Sequence, residues 1–158
     1  MSTTTDPRPE GEPLCRDIMT TPVITVPPSM AVKDLAALFR DKRIGGVPVV
    51  DEDRLVGIVT EGDLMVMDAD IPMPHYFELF DSFITLGQKK FHEQLEKASA
   101  ATVEQLMTDE VMTVAPDDEA RVAATLMHKH RFDRVPVVEG EAVVGIVTRH
   151  DIMKILGL

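Results

Sequence analysis

Gly57-Ile58-Val59-Thr60-Glu61-Gly62-Asp63 returns 88 residues later as Gly145-Ile146-Val147-Thr148-Arg149-His150-Asp151. Val47-Pro48-Val49-Val50 returns at the same offset as Val135-Pro136-Val137-Val138. Carried toward the N-terminus, the offset sets Met19-Thr20 on Met107-Thr108 and Thr25-Val26 on Thr113-Val114. Of the 49 positions from Asp17 to Met65, 20 are identical to their partners. A repeat at a fixed, gapless offset has to be read before any fold is assigned. Here it turns every candidate motif into a pair.

The elements follow from the apolar pattern. Val23–Val26 is a short β-branched run that reads as a strand, stopped by Pro27-Pro28-Ser29, with Ser29 the expected N-cap of the next helix. Val32, Leu35, Ala36, Leu38 and Phe39 recur at spacings of three and four, the mark of an amphipathic helix, which Gly45-Gly46 ends. Val47–Val50 and Leu55–Val59 read as strands around a charged turn, Asp51–Arg54, and a short helix should open at Glu61. The second repeat copies the order: Val111–Val114, a helix after Asp117, Val135–Val138, Val143–Val147, and a helix from Arg149. Each repeat is thus β-α-β-β-α. One such half buries too little surface to be stable alone. The expected architecture is therefore α/β, of the α+β type, with the two repeats packed by their sheets in pseudo-two-fold symmetry and helices outside.

The expected divisions are a flexible tail at 1–13, repeat 1 at 14–66, a helical linker or insert at 67–101, and repeat 2 at 102–158. The insert holds Tyr76, Phe77, Phe80, Phe83 and Phe91. Its aromatic stripe packs on its own module or serves as a partner surface.

Composition excludes several classes. With 16 basic and 27 acidic residues the chain carries a net charge of −11, which argues against broad nucleic-acid or anionic-membrane binding. Cys15 is the only cysteine, so neither an intramolecular disulfide nor a cysteine zinc site is possible. There is no signal-like N-terminus and no apolar run of membrane-spanning length, and a cytoplasmic location is expected. Neither a G-x-x-x-x-G-K-[ST] loop nor a G-x-G-x-x-G turn is present. His128 and His130 lie two apart and diverge on a helix, a poor metal pair. His130-Arg131-Phe132-Asp133 looks superficially like a kinase catalytic loop but lacks every companion motif. No nucleophile stands beside an evident base, and no catalytic residue or metal site is expected.

The strand-to-helix junctions carry the chemistry that remains. Thr60 with Asp63, and Thr148 with Asp151, have the Thr-x-x-Asp form of a helix-capping pair, in which side chains satisfy free N–H groups of the first turn. That structural role accounts for both residue types. A carboxylate at such a turn can also accept two hydrogen bonds from a vicinal diol, as acidic residues do toward ribose in dinucleotide folds.

Asp17-Ile18-Met19-Thr20, Leu106-Met107-Thr108, the Val-Pro-Val-Val strands and the Gly-Ile-Val-Thr-x-x-Asp junctions together resemble the CBS domain, and the chain resembles a stand-alone tandem pair, or Bateman module, over about Leu14–Val66 and Thr102–Gly157. The resemblance implies clefts between the repeats that bind AMP, ADP, ATP or S-adenosylmethionine. It implies ribose contacts from Asp63 and Asp151, and ribose or phosphate contacts from Thr60 and Thr148. Val47, Pro48, Val135 and Pro136, with Val23 and Val111, would line the adenine pocket, and Thr20 and Thr108 its edge. It further implies a regulatory module rather than an enzyme, without a required cofactor, associating as a homodimer and acting on an unknown effector protein. A constitutive dimerisation or scaffold module with vestigial clefts is the alternative.

The repeats differ in charge. Asp133-Arg134 and Arg149-His150 stand where the first repeat has Gly45-Gly46 and Glu61-Gly62. The basic residues are either a solvated helix end that suits the C-terminal dipole or a phosphate clamp, in which Arg134, beside the Val-Pro strand, is the expected contact because a guanidinium offers a fixed fork of donors. Two clefts with unequal affinity for phosphate are therefore expected.

Overall fold

The computed structural model describes residues 11–69 and 101–157. The proposed tail up to residue 10 and the aromatic stripe from Tyr76 to Phe91 lie outside the described residues. In chain order the elements are α1 (Cys15–Ile18), α2 (Val32–Lys42), β1 (Gly46–Asp51), β2 (Arg54–Thr60), α3 (Glu61–Ala69), α4 (Val103–Leu106), α5 (Ala120–His130), β3 (Arg134–Glu139), β4 (Ala142–Thr148) and α6 (Arg149–Ile155). β1 pairs antiparallel with β2 and β3 with β4, giving two small two-stranded sheets. The mixture of helix and strand expected from the pattern is present. Among the described residues no helix is long and apolar enough to cross a membrane.

The two hairpins share a register to the residue. Val49 faces Gly57 and Val50 faces Leu55, so Val56 is extra; Val144 is extra in the same place in β4. Such bulges bend a strand and strengthen its twist. The β1–β2 turn puts Glu52 and Asp53 both at positive φ, 46° and 65°, the form of two-residue turn whose twist matches the flanking strands.

The strands expected at Val23–Val26 and Val111–Val114 shrink to one residue each. Val26 forms a parallel bridge to Val49, donating its N–H to the Pro48 carbonyl (3.1 Å) and accepting from the Val50 N–H (2.9 Å). Extending that bridge backward would need an N–H on Pro48, and extending it forward an N–H on Pro28; proline has neither. Val114 bridges Val137 in the same way, between Pro136 and Pro116. Four prolines at matched positions therefore limit the third segment of each sheet to a single residue.

The compact units do not follow the repeats. One unit comprises Ile24–Val111 and holds β1–β2; the other comprises Met1–Val23 with Met112–Leu158 and holds β3–β4. In the β1–β2 unit the core is Val26, Leu35, Phe39, Val47, Val49, Val59 and Val103. In the β3–β4 unit it is Val114, Ala123, Met127, Val135, Val137, Val147 and Cys15. Six of the seven pairs match at +88. The seventh, Val103 against Cys15, matches at −88, because each core takes that residue from the other repeat.

The exchanged helices have four residues each, too few to stand alone. Tertiary bonds hold them. In the β1–β2 unit the Val103 N–H donates to Met30 (2.9 Å) and the Glu104 N–H to Pro28 (3.0 Å). In the β3–β4 unit the Cys15 N–H donates to Asp118 (2.7 Å) and the Arg16 N–H to Pro116 (3.0 Å). The same segments set where the long helices begin. Val32 donates to Ala101 (2.9 Å) and Ala120 to Pro13 (2.8 Å), so the N-caps are Ala31 and Glu119, without side-chain caps, and not Ser29. A backbone carbonyl from the residue just before the other repeat, Ala101 or Pro13, satisfies the donor that a side-chain cap would otherwise have met.

Burial pushes the Cys15 thiol up to about 11, with the nearby Asp118 carboxylate adding to the shift. The thiol is therefore protonated and a poor nucleophile at neutral pH. Met19 and Met107 pack against the two cores: a side chain added at Gly145 would meet Met19 Cγ at 2.8 Å, and one at Gly57 would meet Met107 Cγ at 3.0 Å. Gly145→Val is accordingly expected to destabilise the chain by about 1–3 kcal/mol in urea melts, and to speed amide exchange at Thr20 and Ile146 as the exchanged segment lifts.

Candidate ligand-binding junctions

β2 runs straight into α3 and β4 into α6, so Thr60 and Thr148 are both the last strand residue and the residue before the first helical turn. In the β3–β4 unit the Thr148 N–H donates to Asp151 Oδ2 at 2.8 Å and its hydroxyl to the same oxygen at 2.9 Å, while the Asp151 N–H returns to Thr148 Oγ1 at 3.3 Å. In the β1–β2 unit the Thr60 N–H and hydroxyl donate to Asp63 Oδ2 at 2.8 and 3.2 Å. The capping pair read from the sequence is formed in both directions at Thr148–Asp151, while at Thr60–Asp63 the threonine donates both bonds. Every one of these bonds to a carboxylate falls on Oδ2. Asp151 is 9% exposed and is the one buried charged residue among the described residues. A charge so placed is held by its hydrogen bonds.

Each junction is completed by a segment from the other repeat. Thr20 and Ile146 exchange both backbone bonds (2.8 and 3.2 Å), two residues before Thr148. Thr108 and Ile58 do the same at 2.9 Å each, two residues before Thr60. Both threonines are exposed, and Val23 and Val111 are partly buried. The structure therefore pairs Thr20 with the strand that leads to Asp151 and Thr108 with the strand that leads to Asp63, a crossing that linear reading of the repeats does not reveal. Val47, Pro48, Val135 and Pro136 are almost wholly buried in the sheets.

The charge difference between repeats becomes a geometric one. Arg134 faces Thr148 across the ladder where Gly46 faces Thr60. The first helical N–H donates to the loop before the strand in both units, Glu61 to Gly45 (3.0 Å) and Arg149 to Asp133 (2.8 Å). Among the described residues the β3–β4 unit adds a side-chain pair, Arg149 to Asp133 at 2.7 Å. Sequence reading grouped these residues as basic; the pairing was missed because it joins positions 16 apart that meet only when the hairpin closes. Among the described residues no group of three or more His, Cys, Asp or Glu side chains could hold a metal ion.

The model of the CBS domain matches residues 15–69 and 103–158. The chain belongs to the CBS domain family. An uncharacterised protein of Methanocaldococcus jannaschii is 33% identical over 153 residues, which is 90% of each chain. In two longer relatives from that archaeon the match spans 36% and 30% of their length, so this CBS pair has counterparts inside larger proteins. Among solved structures, the CBS domain pair of protein MJ0100 in complex with 5′-methylthioadenosine and S-adenosyl-L-methionine is 29% identical with a TM-score of 0.70, covering 93% of this chain and 98% of that one. The structure of CBSX2 in complex with AMP is 26% identical with a TM-score of 0.69, covering 90% and 95%.

The CBS junctions carry a stability role that is measurable apart from any ligand. Thr148→Ala removes the side chain that caps α6 and is expected to cost about 0.5–2 kcal/mol in urea unfolding, with Thr60→Ala, which loses only a hydroxyl bond to Asp63, costing less.

Proposed function

We propose that this CBS pair is a regulatory sensor that binds an adenosine-containing ligand at its Thr-x-x-Asp junctions. The observation that carries the reading is the duplicated carboxylate at the mouth of each strand-helix turn, oriented through Oδ2 by its own threonine, with Oδ1 taking no further hydrogen bond among the described residues. A ribose diol matches that remaining oxygen. The similar CBS structures that hold AMP, 5′-methylthioadenosine or S-adenosylmethionine support the ligand class. In this reading Asp63 and Asp151 accept from the ribose hydroxyls, and Thr20 and Thr108 flank the ligand from the exchanged segments. The protein acts in the cytoplasm by conformational change passed to a separate effector, not by turnover. Because each junction joins parts of both repeats, a ligand that prefers one arrangement of those parts shifts the population toward it.

One observation favours the rival, a scaffold without a ligand: the cap contacts alone account for Thr60, Asp63, Thr148 and Asp151. Amide replacements separate the two. Asparagine keeps an acceptor for the threonine N–H but loses the charge that strengthens a diol contact. Asp151→Ala or Asp63→Ala is expected to weaken calorimetric affinity for the bound adenosine ligand about 10- to 100-fold, and the matching Asn variants should lose affinity with a smaller loss of stability. Unchanged affinity in both single alanine variants and in the double variant would remove the ribose assignment. No thermal shift with AMP, ADP, ATP, 5′-methylthioadenosine or S-adenosylmethionine would leave the scaffold.

We also infer a homodimer. Met65 on α3 is 71% exposed, and Met153 and Ile155 on α6, with Leu156 beyond it, are 38%, 40% and 65% exposed. Apolar side chains at matched places on both terminal helices fit a covered face better than a solvated one. Met153→Glu combined with Ile155→Glu is expected to shift the sedimenting species from dimer to monomer in ultracentrifugation; a monomeric wild-type chain would remove the inference.

A further inference from the structure

At the two ladder ends that flank the junctions, Asp133, Arg134 and Arg149 stand where the other unit has Gly45, Gly46 and Glu61. At the β1–β2 end, Gly45, Gly46 and Glu61 bring no cation to Asp63. At the β3–β4 end, Arg149 opens the helix that carries Asp151, and its guanidinium is held 2.7 Å from the carboxylate of Asp133. That pair is open to water, with side-chain exposures of 66% and 59%, so it is weak and easily exchanged. It is also not what fixes the loop, since the Arg149 N–H bond to the Asp133 carbonyl persists without it and has a counterpart in the other unit.

Resting on the adenosine reading above, we propose that Asp133 is an internal counter-ion that occupies Arg149 until a ligand's 5′-phosphate displaces it. The β3–β4 junction then selects an adenosine ligand with an anionic 5′ group. The β1–β2 junction, with two carboxylates and no cation at the equivalent positions, selects one whose 5′ group is neutral or cationic. Arg149 and Asp151 lie two apart at the start of α6, so their side chains diverge; in this proposal Asp151 meets the diol and Arg149 the 5′ substituent at the other end of the ribose. Displacement exchanges one ion pair for another. Removing the charge of Asp133 should therefore strengthen binding of the phosphate-bearing ligand, whereas a supporting structural bond would weaken it when lost.

The test is calorimetry on the full chain carrying Asp63→Ala, so that the β3–β4 junction is read by itself, with AMP and 5′-methylthioadenosine as probes. Asp133→Asn is expected to raise AMP affinity about two- to fivefold and to leave 5′-methylthioadenosine affinity and the melting temperature unchanged. Arg149→Ala is expected to lower AMP affinity about tenfold and to abolish the gain from Asp133→Asn in the double variant. Equal effects of Asp133→Asn on both probes, or no effect on either, overturn the counter-ion while leaving the ribose site standing. Failure of both probes to bind the wild-type chain overturns the ribose site and the counter-ion together.

Discussion

Val103 sits in a core made otherwise from the first repeat, and Cys15 in a core made otherwise from the second. These two residues are anchored by helices of only four residues, and the bonds that hold those helices come from the loops of the opposite repeat. Neither helix has the length to form by itself, and neither core is complete without its borrowed residue. Folding one half therefore requires a piece of the other. The observed pairings of Thr20 with Ile146 and Thr108 with Ile58 follow from that docking, as do the starts of α2 and α5, which are set by carbonyls from the exchanged segments.

The prolines impose the complementary limit. Pro28 and Pro48, with Pro116 and Pro136, withhold the N–H groups that would extend the bridges at Val26 and Val114. Each sheet thus stays a hairpin with one bridging residue on one side, while the exchanged threonine pairs on the other. That leaves the strand end at Thr60 or Thr148 flanked by a segment from the other repeat. In a CBS pair built this way, the junction carboxylate and the flanking threonine reach the same place by different routes along the chain.

The asymmetry between junctions lies on this shared frame. The backbone bond from Glu61 to Gly45 has its equivalent from Arg149 to Asp133, so the frame is common. The side chains differ: two glycines and a glutamate in one repeat, two arginines and an aspartate in the other. Duplication preserved what the backbone needs and let charge diverge where the backbone is indifferent to it.

Much of this was legible from residues alone. The offset of 88 identified the repeat, and the alternation of apolar residues identified both hairpins and the two long helices, because periodicity reports which face is buried. The Thr-x-x-Asp caps were legible too, because their partners lie three residues apart. Three things were not. Ser29 has the chemistry of a cap, yet the Ala101 carbonyl, 72 residues further along the chain, satisfies the helix instead. Val23–Val26 and Val111–Val114 have strand composition, but strand length depends on the partner's N–H groups, and those partners are prolines. The crossing of Thr20 to Asp151 and Thr108 to Asp63 has no local signal, since a repeat specifies its elements but not which copy each element packs against. Local chemistry determined the elements and their caps; only tertiary packing, which has to fill both cores at once, decided that each junction would be shared.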